Sequence, residues 1–261
     1  MLKSKRSLAL LALLSGAVLA QPPKAMVVLN AASGAPVAAP DSIASAFGLK
    51  IGASTDIALT LPLQTVLNGV SLQMADSAQA SSLGLLFYVS PNQINFEIPP
   101  SVAVGAATVT VIGGKSSNST ADVTVATVAP GLFTANGAGT GVAAALAIHR
   151  SIAIQTDTLV PVFTCSDNGC TSVGIDTSGD SDVTFLELFG TGIRGRSSLV
   201  NVSVTIGGQS ATVLFAGAQG QFPGLDQVNV QLPQDSTMHG EQGLILTVDG
   251  QVANKVRVNL K

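Results

Sequence analysis

Apolar and polar residues alternate with a period of two, in short runs, along most of this chain. Val70-Ser71-Leu72-Gln73-Met74 and residues 94–98 each present one apolar face, as half-buried strands do. Residues 108–112 and 122–125 pair across Gly113-Gly114 in a predicted hairpin. Alternation is strict over residues 202–215 on both sides of Gly207-Gly208, the clearest hairpin signal in the sequence. Residues 244–248 and 256–260 form a last predicted pair, turning at Asp249-Gly250. Residues 43–47, 142–154 and 183–189 read as further strands, and 50–65 as a variable loop holding one strand. No segment carries an amphipathic helical period, so the predicted class is all-β.

These strands belong to a unit that occurs twice. Gln93-Ile94-Asn95-Phe96-Glu97-Ile98-Pro99 and Gln227-Val228-Asn229-Val230-Gln231-Leu232-Pro233 share one pattern, with Phe47-Gly48 and Phe189-Gly190 upstream of the respective copies. Downstream, Gly114 and Asn118 match Gly250 and Asn254 at the same spacing, each Asn preceding a Val-x-Val strand. A repeat of about a hundred residues predicts two tandem immunoglobulin-like β-sandwich domains. The expected boundaries are 1–20 for a signal peptide, 21–127 for the first sandwich, 128–141 for a Gly/Pro-rich junction and 142–261 for the second. In the junction, Leu132 and Phe133 are expected either to tuck into a seam between the sandwiches or to end an ordinary core strand. Within the repeated motif, Gln93 and Asn95 lie on one strand face, as do Gln227 and Asn229. Their amides are expected to satisfy backbone groups of the preceding turn, a structural role.

The chain's ends and charge set its compartment. Lys3, Lys5 and Arg6 precede an apolar run over 8–19, and Val18-Leu19-Ala20 fits a cleavage site before Gln21. Ser15 and Gly16 interrupt that short run, which disfavours a permanent span, and no Cys follows it to carry a lipid. The expected location is therefore secreted or cell-surface, with no membrane span in the mature chain. Without the signal, nine basic residues face fifteen acidic ones, a net charge of −6. That balance excludes a nucleic-acid partner, which needs a basic patch. Charged residues make up only 10% of the chain, so part of its surface is expected to be covered by a partner.

Export also decides the reading of Cys165 and Cys170. In an oxidising compartment, with Asp167-Asn168-Gly169 between two strand-like flanks, they are predicted to close a hairpin tip as a disulfide. So short a loop stabilises by about 2 kcal/mol. Zinc lacks ligands nearby, since the histidines are His149 and His239 alone.

Asn30-Ala31-Ala32-Ser33, the run Phe87-Tyr88-Val89-Ser90-Pro91-Asn92-Gln93-Ile94-Asn95-Phe96, Ala129-Pro130-Gly131-Leu132-Phe133 and Gly217-Ala218-Gln219-Gly220 through Gln227-Val228-Asn229-Val230 together resemble the Solibacter-type C-terminal domain. This is a family of uncharacterised secreted acidobacterial proteins. The resemblance spans about residues 27–261 and implies kinship with IPT/TIG-type immunoglobulin-like modules, which serve in surface architecture and binding. It supplies no catalytic residues to transfer.

Candidate chemistry is sparse. Asp176, Asp180 and Asp182, with Asp167 nearby, are the acidic residues from which an oxygen-lined Ca²⁺ site would be built. Their spacing matches no EF-hand loop and the closing Glu is missing, so a solvated acidic loop is the preferred reading. No Gly-x-Ser-x-Gly elbow is present, neither histidine has a catalytic context, and Glu97 and Glu187 lie in separate strand-like runs. No cofactor or metal is expected. Arg194 and Arg196 form the one local basic cluster, either an anion contact or a solvated turn. Phe222-Pro223-Gly224-Leu225 places apolar residues on a loop that the first copy lacks. Phe222 and Leu225 there are expected either to bind a partner or to plug the sandwich end. The predicted function is a non-catalytic module for adhesion, envelope scaffolding or recognition, with an extracellular or envelope protein as partner. A glycan partner, or a carbohydrate-active enzyme or its accessory module, is the alternative. The absence of Trp and the single Tyr88 weigh against it, because sugars stack on exposed rings.

Overall fold

A computed structural model describes residues 26–115, 119–177, 182–234 and 238–261. The signal segment 1–20, Asn118 and Asp180 lie outside the described residues. The chain is all-β, and the single helical turn among the described residues is the 3₁₀ segment Leu199–Asn201. Alternation in sequence becomes alternation in burial. Val70–Ala75, Thr120–Val125, Val183–Thr191 and Asp226–Gln231 each bury every second side chain.

Two separate apolar cores result. The first gathers Met26, Leu72, Met74, Leu86, Ile94, Phe96, Val109 and Val123 among others, between two sheets. One sheet runs in the order Met26–Asn30, Ile43–Gly48, Gln93–Glu97, Leu85–Val89, Asp56–Ile57. Facing it are Val37–Ala38, Thr120–Val125, Gly105–Ile112, Val70–Ala75 and Val66–Leu67. This is the strand order of an immunoglobulin-like sandwich, with the first strand broken so that Val37–Ala38 crosses to pair in parallel with the last.

Residues 128–260 repeat the path around the second core, which includes Leu132, Leu186, Leu188, Val204, Val230, Leu246 and Val258. Phe47 pairs with Gln93 in the first copy and Phe189 with Gln227 in the second, so the two Phe-Gly steps hold the same register position. A bulge recurs too. The ladder slips at Phe87, between Leu86 opposite Phe96 and Tyr88 opposite Asn95. It slips identically at Leu214, between Val213 opposite Val230 and Phe215 opposite Asn229. Such a bulge bends and twists its strand. In the second copy the bulged strand Gln209–Ala218 pairs first with Val202–Ile206 and then with Asp226–Gln231, joining both faces into one twelve-stranded sheet.

The copies differ by an insertion. Gly141–Val142 and Gly174–Ile175 both pair in parallel with Val256–Leu260, at consecutive stretches of that strand. Between them, residues 143–173 leave the edge to form Ala145–Ser151 with Thr156–Pro161, then the small hairpin Phe163–Ser166 with Gly169–Ser172. Cys165 and Cys170 face each other in that second hairpin and form the disulfide.

Two local expectations are revised and one pair of alternatives is resolved. Asp249-Gly250 turns the chain into Gln251–Val252, not directly into the final strand. The amides of the repeated motif bond to each other: Gln93 Nε2 donates to Asn95 Oδ1 at 2.8 Å, and Gln227 Nε2 to Asn229 Oδ1 at 2.7 Å. The turn before Gln93 is held instead by Ser90 Oγ, which accepts the Gln93 N–H and donates to the Gln93 carbonyl. Leu132 is a core strand residue, fully buried and paired with Gly190.

Candidate functional site

Polar groups that cannot reach water organise the contact between the two cores. Thr191 Oγ1 accepts the Ile43 N–H at 2.8 Å and donates to the Gly224 carbonyl at 2.7 Å. The Gly224 backbone lies beside the Glu97 carboxylate and opposes the rise of its carboxyl. The Ile43 bond crosses the seam, and the Gly224 bond fixes the Thr191 hydroxyl from within the second copy. The φ of Gly224 is +67°, and a Cβ there would lie 2.5 Å from Ile43 Cγ1, so only glycine fits. At the other end of the seam, Asn30 Nδ2 donates to the Ala129 carbonyl at 2.9 Å while its Oδ1 accepts the Ala32 and Ser33 N–H groups. Ala129 N–H donates in turn to the Gly192 carbonyl.

A charge pair with a buried carboxylate and a part-exposed guanidinium fixes the loop above this seam. Asp226 is 0% exposed and accepts the Ile193 N–H at 2.7 Å, the Arg194 N–H at 3.2 Å and Arg194 Nε at 2.6 Å. Arg194 Nη2 also donates to the Leu225 carbonyl. Burial pushes the Asp226 carboxyl above its ordinary value, against the pull of those donors and of the guanidinium. Burial likewise raises the Glu97 carboxyl; the Asp41 carboxylate pushes the same way and Arg194 opposes.

The network supports a groove of about 340 Å³, lined on one side by Leu61, Pro62, Leu63 and Leu85 and on the other by Arg194, Ala218 and residues 220–223. Phe222 is 58% exposed at its rim and Leu61 55%. Phe222 is therefore no plug over the sandwich end. Its loop is held by the Gln219 N–H to Leu225 carbonyl bond and by Gln219 Oε1 accepting the Gln221 N–H. Such a fixed, exposed aromatic offers contact area at little ordering cost.

The remaining sequence candidates fall elsewhere. Arg196 Nε donates to the Ala216 carbonyl at 2.5 Å, and Leu225 is half-buried beneath the loop. Asp182 holds His149 Nε2 at 3.3 Å and the Ile152 N–H at 3.1 Å, and Asp176 accepts at its carbonyl from Thr184 Oγ1. Among the described residues no three His, Cys, Asp or Glu side chains converge on a metal-sized site. Thr184, His149 and Asp182 do form a hydroxyl–imidazole–carboxylate row, with His149 Nδ1 at 3.1 Å from Thr184 Oγ1. The hydroxyl is buried and spends its one proton on the Asp176 carbonyl, which makes this row a structural clamp. Among the described residues no helix is long and apolar enough to cross a membrane.

Sequence reasoning missed Asp226 and weighed Glu97 only as half of a carboxylate pair with Glu187, not as a seam residue. The signal was present: Asp226 stands where the first copy of the motif has Asn92, and Glu97 where the second has Gln231. No protein-family model matches the chain, and no curated protein does. Among solved structures it is similar to domains 5–6 of the S-layer protein SbsC, at 12% identity over 90% of this chain and 95% of that one, with a TM-score of 0.24. An overlap that loose carries no functional information.

Proposed function

We propose that the chain is an exported, surface-associated module that recognises another protein through the seam groove and has no catalytic role. The observation carrying this reading is Phe222, an exposed ring on a loop whose backbone is pinned by Arg194 on the buried Asp226 carboxylate, beside an apolar wall from the other core. Preformed aromatic anchors of this kind dominate the energy of protein interfaces. Export is supported by the signal-like first twenty residues and by the Cys165–Cys170 disulfide. The poverty of aromatic rings supports a protein over a glycan, since Tyr88 is half-buried and Trp is lacking. Membership of the Solibacter-type family and the division into two tandem sandwich domains belong to the same proposal. The repeated Phe-Gly register and the matched bulges support that division.

The test is a crosslinking capture with residues 21–261 against envelope and secreted fractions of the source organism, run in parallel with Phe222→Ser. A protein captured by the natural chain is expected to bind the variant roughly thirtyfold more weakly, the loss of about 2 kcal/mol typical of an anchor. The exposed position leaves the melting temperature of the variant unchanged. Capture of polysaccharide alone, or equal capture by both proteins, sinks the proposal.

A further inference from the structure

Sheet edges are where a β-protein meets other chains, and most edges here are blunted. Val37–Ala38, Val66–Leu67, Asp56–Ile57 and Gly141–Val142 end their sheets with only two residues each, and the five-residue edge Met26–Asn30 has its Asn30 N–H and carbonyl taken by Ala35 and Gly34. Short edges offer a foreign strand too little backbone to pair with. Thr156–Pro161 is different. It ends the twelve-stranded sheet with six residues, and among the described residues nothing pairs with its outer side. It contains no Lys or Arg and no bulge, and Leu159 stands 69% exposed at its middle.

The strand's one charge is cancelled within its own hairpin. Arg150, opposite Asp157 in the ladder, grips that carboxylate with both arms, Nε to Oδ1 and Nη2 to Oδ2 at 2.7 Å each. The guanidinium also lies 5.2 Å from the centre of the Phe185 ring. An identical strand approaching this edge meets no uncompensated charge. The middle of the outer face behind it is apolar: Leu159 neighbours Ile148, which neighbours Phe185, while the flanking rows carry the Asp157–Arg150 pair on one side and Pro161, Leu146 and then Glu187 on the other.

We infer that Thr156–Pro161 is a homodimer edge, pairing antiparallel with the same strand of a second copy about a two-fold axis at Leu159. That register sets Leu159 against its own equivalent and Asp157 against the neutral Pro161 of the other copy, so no two charges of the paired strands meet. Both sheets join edge to edge, and the apolar rows at Leu159, Ile148 and Phe185 become continuous across the axis. The isologous arrangement closes, leaving this edge with no free side for further growth. The groove at Phe222 is a different surface, and the dimer does not depend on it.

Sedimentation velocity over a wide concentration series tests the inference on residues 21–261. The natural chain is expected to reach a dimer. Leu159→Lys, a change at an exposed side chain, is expected to be monomeric throughout with an unchanged thermal melt, because two ammonium groups then oppose each other. A second variant fixes the register. Directly opposed Cα atoms lie about 4.5–5.5 Å apart, within disulfide reach, so Leu159→Cys is expected to crosslink to a dimer on mild oxidation. Val200→Cys, exposed at the 3₁₀ turn, is expected not to. A natural chain that stays monomeric, a Leu159→Lys protein that still dimerises, or equal crosslinking by both cysteine variants overturns the inference.

Discussion

Asp226 and Asn92 hold equivalent places in the two copies of the motif, yet Asn92 is exposed and Asp226 is wholly buried. The difference lies in what surrounds them. Only the second copy brings an arginine and two backbone N–H groups to the carboxylate, and a buried charge is tolerated when it is paired and hydrogen-bonded. Glu97 mirrors this from the other side of the seam, where the second copy carries the neutral Gln231. Glu97→Gln therefore imports the repeat's own alternative and keeps a polar side chain of the same shape beside Gly224. Burial and Asp41 raise the Glu97 carboxyl above 4.5 in the folded protein. The folded state thus holds that proton more tightly than the unfolded one, and stability is lost as pH rises from about 4.5 through the raised value. The melting temperature of Glu97→Gln minus that of the natural chain is expected to climb between pH 4 and pH 8. A flat or falling difference contradicts the assignment. Neither carboxylate was legible as a seam residue, because the sequence shows where an acid lies along a strand but not which surface meets the other core.

Regular elements were far more legible, since each strand states its buried face every second residue. What alternation conceals is where it resets. Leu85-Leu86-Phe87-Tyr88-Val89 is an unbroken apolar run, and Val213-Leu214-Phe215 ends the alternation that had read as strict through residue 215; both runs hold the bulge that shifts the ladder. A one-residue slip exchanges the two faces of a strand, so an unbroken apolar run is the trace such a slip leaves in sequence. The insertion over residues 143–173 left no comparable trace, because its strands carry the same chemistry as the sandwich they interrupt. Its disulfide hairpin was readable, from Asp167-Asn168-Gly169 between flanking strands. That hairpin is a two-stranded sheet of its own with an exposed tip. The bond therefore protects a local unit. Replacing both cysteines by serine is expected to cost about 2 kcal/mol against local opening, with faster amide exchange confined to residues 163–172. Exchange that also accelerates in Val183–Thr191 or Val256–Leu260 places the effect on the core instead.

At the scale of the whole molecule, the seam decides whether the two cores behave as one body. Its contacts are few but costly to break, because each leaves a buried donor or acceptor without water. Thr191 is the extreme case: one fully buried hydroxyl serves the Ile43 N–H from one core and the Gly224 carbonyl from the other. Thr191→Val keeps the shape and removes both bonds, orphaning two backbone groups at about 1–3 kcal/mol apiece. The Ile43 bond joins the two cores while the Gly224 bond lies within the second, so it is the Ile43 share of the cost that acts on the coupling between the cores. The natural chain is expected to unfold in one calorimetric transition whose enthalpy equals the van't Hoff value. Thr191→Val is expected to resolve into two transitions, the less stable core melting first. The Phe222 groove has walls from both cores, so the same variant is expected to weaken partner capture even though Thr191 does not line the groove. Two transitions in the natural chain deny that the seam couples the cores. A single unaltered transition in Thr191→Val places the coupling in other contacts of the seam, with Asn30 to Ala129 the next to remove.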